Sequence, residues 1–221
     1  MKNTFTAIKP QNFQDFWQTF PDTARPDLCR GCDGSPVTEA GVFPLVCLLP
    51  GELAFLQKKE AALSLALDLV QISTPHGTIY GLPPAALCPY RRNNHFPSGQ
   101  EAPPKPVECA IYPLIFNRHG SDELGVSPNC RRQAAFRADA FLAKAKVAVA
   151  VYLLPYLEEN WLRYRNALNF PLVPAAYHRL KEQKAGQPIT LDEIKACAAE
   201  GYNGGNYSRH AAGSYDPGFL G

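Results

Sequence analysis

The residue pattern predicts a mainly α fold with minor β. It reads as one helical domain over residues 1–221, with a loop-rich, cysteine-bearing region at 29–131 and a helical part at 132–221. Three observations carry this. Apolar residues recur at helical spacing in five or six segments, against one or two weak alternating runs. Six of the seven cysteines, Cys29, Cys32, Cys47, Cys88, Cys109 and Cys130, fall in the middle of the chain. The 21 prolines are densest between Pro83 and Pro113, which marks loops there rather than regular structure.

The totals exclude several classes. With 46% hydrophobic residues the 221-residue chain can bury a core, and a net charge of +2 gives no reason to expect nucleic acid. The longest apolar run, Val147 to Leu154, is far below the roughly 18 residues of a membrane span. Lys9-Pro10 interrupts the N-terminus before a signal-like apolar stretch forms, so a cytoplasmic protein is expected. Thiols stay reduced there, and clustered cysteines then favour metal or catalysis over disulfides.

The elements follow in order. Phe13, Phe16, Trp17 and Phe20 make one face of a short helix over 11–20, stopped by Pro21 and Pro26. After Cys47, the run Leu48-Leu49-Pro50-Gly51-Glu52 opens a helix expected to reach about Val70, with Leu56, Leu63 and Leu67 on its face. Gln71 to Tyr80 alternates as a short strand or hairpin. Residues 81–108 read as loop, 109–116 as a brief apolar turn or strand, and 117–129 as a polar loop. From Arg131 a helix is marked by Phe136, Ala140, Ala143, Val147, Val151 and Leu154, and Pro155 ends or kinks it. A second helix at about 156–169 carries Leu157, Trp161, Tyr164 and Leu168, and a third covers 174–184. Thr190-Leu-Asp-Glu193 is a capping box for a last helix closed by Gly201. The Gly- and Tyr-rich residues 201–221 are expected to lie on the body, anchored by Tyr202, Tyr207 and Tyr215.

The cysteines carry the candidate chemistry. Zinc or an iron–sulfur cluster needs three or four thiolates converging in space, and Cys29-Arg-Gly-Cys32 supplies two from one turn. The next gaps, 15, 41, 21 and 21 residues, depart from finger or ribbon spacing. Each cysteine also has a plain reading as a small buried hydrophobe. That reading is favoured for Cys197, and is close to even for Cys47 within Phe43-Pro-Leu-Val-Cys47-Leu-Leu. His95 is a possible mixed-site ligand, and Arg30, Arg91, Arg92, Arg131 and Arg132 are candidate counter-charges to a thiolate centre. A thioredoxin-like role for Cys29/Cys32 lacks the strand–helix setting, and Gly204-Gly205 makes no phosphate loop.

The pieces Cys29/Cys32, Cys47-Leu-Leu-Pro-Gly-Glu52, Cys88-Pro89, Cys109-Ala-Ile-Tyr-Pro113 and Cys130-Arg131 resemble the cysteine-cluster (CxxCxxCC-type) zinc- or iron-chelating family. The likeness covers roughly 29–131. It departs from the family in having one cysteine for the CC doublet, and Leu114-Ile115-Phe116 where the family has Arg-Pro. It implies a metal ion or iron–sulfur cluster on thiolates and leaves the reaction open. Some lysine-methylating enzymes resemble the same family, which implies a transferase-like alternative, although no methyl-donor motif is present. A metal-free helical interaction module with core cysteines is the remaining reading. Among the six candidates, Cys29, Cys32, Cys109 and Cys130 are expected to share one centre, because Cys109 and Cys130 bracket a loop able to close on itself.

Overall fold

The computed structural model describes residues 4–20, 45–59, 69–82, 106–111, 114–116, 124–126, 140–168 and 173–203. Of these, 59% are helical and 20% lie in strands, so the fold is mixed α/β and not mainly α. The reason is the brevity of the strands. They are two to six residues long and pair across the chain, so a period measured over a longer window does not register them.

Helix α1 (Pro10–Thr19) begins with proline at its first turn, where the missing N–H costs nothing. Its Phe13 and Phe16 are fully buried, Phe13 stacks on Phe55 at 5.2 Å between centroids, and Phe20 ends the helix on the Phe16 carbonyl. Strand β1 (Val46–Leu48) leads through Leu49-Pro50-Gly51-Glu52 into helix α2 (Glu52–Lys59). The Glu52 amide donates to the Leu49 carbonyl at 2.9 Å, and Gly51 has φ +85°, the geometry of a type II turn. Any Cβ at Gly51 would sit 2.7 Å from the Ile8 carbonyl oxygen, because the N-terminal segment crosses this turn. The helix expected to reach Val70 is corrected: Val70 opens strand β2 (Val70–Thr74).

Strands β2 and β3 (Gly77–Leu82) form the expected hairpin around Pro75-His76, with Thr74 opposite Gly77. The Thr74 hydroxyl closes it, donating to the Gly77 carbonyl at 2.7 Å and accepting the Gly77 amide at 3.1 Å. Helix α3 (Val107–Ile111), strand β4 (Leu114–Phe116) and strand β5 (Leu124–Val126) follow, so part of the expected polar loop is the second strand of a β4–β5 hairpin.

Helix α4 (Ala140–Tyr152) passes into a 3-10 turn at Leu154–Tyr156 where Pro155 stands. Its buried face is Leu142, Ala145, Ala148 and Val149; Val147 and Val151, on the stripe read from the sequence, are 59% and 53% exposed. The helix is apolar nearly all round, so period alone does not choose its inner side. Helix α5 (Glu159–Ala167) buries Trp161, Tyr164 and Arg165, with Leu168 buried just beyond its end. Helix α6 (Val173–Lys184), strand β6 (Ile189–Thr190) and helix α7 (Leu191–Asn203) complete the order, and α7 runs past Gly201 instead of closing on it.

The main sheet has the order β1-β3-β2-β6, antiparallel except for β2 and β6, where Ile72 pairs with Ile189 and Ser73 with Thr190. Among the described residues, one hydrophobic cluster extends from Phe5 to Ala198. The expected anchoring of the C-terminal tail beyond Asn203 lies outside the described residues.

Candidate functional site

Among the described residues, three ionisable side chains lie in the interior: Glu52 at 1% exposure, Arg165 at 3% and Glu108 at 8%. They join four elements near two of the candidate cysteines. Glu52 stands at the third position after Leu49, so its carboxylate reaches back to the Leu49 amide at 2.8 Å, as in the acidic half of a capping box. Its other oxygen accepts the amide of Val107, the first residue of α3, at 2.6 Å. One buried side chain thus satisfies backbone donors at the starts of two helices.

Glu108 works one residue further along α3. Its Oε2 accepts the Cys47 amide at 2.9 Å, on the side of β1 away from β3, where no strand lies among the described residues. Its Oε1 accepts Nε of Arg165 from α5. The pair ties α3 and β1 to α5. Nη1 of Arg165 is buried and has no hydrogen-bond partner among the described residues.

Burial sets the acid–base character of the group. It pushes the Glu52 acid up to about 8; the two backbone N–H donors oppose this, and the nearby Glu108 carboxylate adds to it. Glu52 is therefore mostly protonated at neutral pH. Burial, then Glu108, pushes the Cys47 thiol far above its ordinary range, with Arg165 pulling the other way. Burial opposes the charge on Arg165, but Glu108, Cys47 and the hydrogen bond to Glu108 together hold it above its usual value.

Of the six candidate ligands, Cys47 is a fully buried thiol in β1 and Cys109 a half-buried residue on α3. Cys29, Cys32, Cys88 and Cys130 lie outside the described residues, as do His95 and the arginines expected beside them. Among the described residues, no group of three or more His, Cys, Asp or Glu side chains is placed to hold a metal ion. The Glu108 side chain is what connects Cys47 to Cys109, bonded to the amide of one and adjacent in sequence to the other.

Sequence reasoning missed Glu108 and Arg165. A signal for Arg165 was present: it falls four residues after Trp161 and three before Leu168, a charge on the apolar stripe of its helix. Glu108 had none, because α3 is too short to show a period.

Two other polar groups stand apart. Cys197 on α7, buried as expected, accepts Nε and Nη2 of Arg179 at 2.9 and 2.8 Å. Tyr164 Oη meets His76 Nδ1 at 2.6 Å and accepts Nη2 of Arg163 at 3.1 Å. No family model, curated protein or solved structure matches the chain. Among the described residues, no helix is long and apolar enough to cross a membrane.

Proposed function

We propose that this is a cytoplasmic metal-binding protein whose cysteine thiolates hold zinc or an iron–sulfur cluster, with Cys29, Cys32, Cys109 and Cys130 on one centre. Cys47 and Cys88 would replace one of these or bridge to a second ion. The observation that carries the reading is the mounting of Cys109. It is half-buried on a helix whose first amide is held by Glu52 and whose second residue is held by Arg165. A ligand thiol needs a mounting fixed at the backbone, as this one is. The donor set fits as well. Four thiolates on a divalent ion carry net negative charge, and Arg165 offers a buried cationic N–H without an acceptor among the described residues. The resemblance over 29–131 supports the same reading on its motif pieces alone. Thiols at Cys47 and Cys197 suit a reducing compartment.

A closed four-thiolate site would be structural; a water in the fourth position would favour the transferase-like alternative. The test is metal analysis of anaerobically purified protein, with single Cys→Ser variants. Stoichiometric zinc or iron, lost in Cys29→Ser and Cys109→Ser, supports the reading; metal-free wild type removes it. Metal-free protein would favour the interaction module, which the exposed Ala143, Val147 and Val151 of α4 and the fully buried Cys47 support.

A further inference from the structure

Helix α4 is apolar on two faces, and the body of the protein uses one of them. Leu142, Ala145, Ala148 and Val149 are buried, and α1 packs on this helix. The opposite face carries Ala140, Ala143, Val147, Ala150 and Val151, all exposed and three or four residues apart. Val147 and Val151, with Tyr156 just beyond the helix, are the exposed large hydrophobic side chains among the described residues. Apolar side chains gathered in one place on a surface mark a contact site more often than the same side chains scattered singly.

Charge narrows the occupant. Lys144 is exposed and Lys146 partly so. Lys144 stands about 60° to one side of Val147 around the helix, and Lys146 about 100° to the other. The stripe is therefore bordered by positive charge on both sides. From Ala140 to Leu157 the sequence has no acidic residue. A second copy pairing through α4 would meet these lysines with no carboxylate from its own α4. A lipid surface fits less well, because helices that bind one turn Trp, Phe or Leu towards it, and this stripe offers alanine and valine. Small residues suit another helix, since they let two helix axes approach closely.

From this placement we propose that α4 is a docking ridge for an amphipathic helix of a partner protein, one whose apolar stripe is bordered by Glu or Asp. Its apolar side chains lie along Val147 and Val151, and its carboxylates face Lys144 and Lys146. The surface is independent of the metal reading and serves with or without an ion on the thiols.

The test titrates the full chain with two synthetic helical peptides of about five turns. Both carry a leucine stripe, bordered by Glu in one and by Lys in the other. The Glu-bordered peptide binds in the micromolar range, weakens as salt rises, and is preferred over the other. Val147→Ser with Val151→Ser, both at exposed positions, lowers its affinity about 10-fold or more through lost apolar burial. Lys144→Glu reverses or abolishes the preference between the peptides, and circular dichroism shows each variant folded as wild type. Equal binding of the two peptides, binding of neither, or affinity unmoved by the valine changes overturns the proposal. So does self-association of wild type that the valine changes abolish, which assigns the face to a second copy. Binding to phosphatidylserine vesicles that the same changes abolish also overturns it, and assigns the face to lipid.

Discussion

At the scale of single residues, the Glu108–Arg165 pair and Glu52 dominate because each is charged, or able to charge, in a dry place. Removing one partner of a buried pair strands the other. Arg165→Met is expected to lose about 3–5 kcal/mol in denaturant unfolding, whereas the joint change Glu108→Gln with Arg165→Met loses much less. A double-variant loss equal to the sum of the Glu108→Gln and Arg165→Met losses would mean the pair is not coupled. Glu52 ties stability to pH. Its folded acid lies at about 8 against 4.5 for the ordinary side chain, so the folded state keeps a proton that the unfolded chain releases. The stabilisation is complete below about pH 4.5 and is lost as pH rises to about 8. The slope in that window approaches about 1.4 kcal/mol per pH unit. Glu52→Gln removes this slope; an unchanged slope in the variant would assign it elsewhere. The sequence showed Glu52 only as a favourable first-turn charge. Its second bond, to Val107, spans 55 residues, and local pattern carries no information about such a contact.

At the scale of elements, the legible pieces are those whose signal is local. Phe13 and Phe16 mark α1, and Trp161 and Leu168 mark α5, because each helix has one wet and one dry side. The capping box before α7 is present in both directions. The Thr190 amide donates to Glu193 at 2.8 Å, and the Thr190 hydroxyl accepts the Glu193 amide at 3.3 Å. Lys184 then binds the same carboxylate and, with Thr190, holds its acid down at about 2. Thr190→Ala is expected to cost about 1 kcal/mol in thermal unfolding, the typical worth of an N-cap. A change near zero would show that packing of Ile194 and Cys197 alone holds the helix start. What was not legible is β1, β5 and β6. Three residues between Leu45 and Leu49, three within a segment that reads as polar loop, and two running into the capping box at Thr190 each gain their stability from a partner strand rather than from their own pattern. Of the six candidate ligands only Cys47 and Cys109 lie among the described residues, and the convergence expected of Cys29, Cys32, Cys109 and Cys130 is a proposal, since spacing does not fix where long loops return.

At the scale of the whole molecule, the sheet ties the cysteine region to the helical part. Strand β6, from beyond residue 188, pairs with β2, and β2 reaches β1 through β3, so Cys47 and Thr190 belong to one hydrogen-bonded sheet. This bears on metal removal. If the ion alone organised the middle of the chain, chelation would unravel the sheet with it. The sheet has its own support: Ile72 and Ile79 are fully buried, Ile189 closes its far edge, and α3 is fastened by Glu52 and Glu108 without a metal. Local opening therefore has unequal costs along the chain. Chelation followed by amide hydrogen exchange is expected to leave β2, β3 and β6 protected. Exchange should speed at Ala110 and Ile111, whose segment carries the proposed ligand Cys109. Uniform protection before and after chelation would separate Cys109 from any metal. Loss of protection across all of β2, β3 and β6 would instead make the ion a requirement for the sheet, and would place the folding energy of the whole chain at the thiolates.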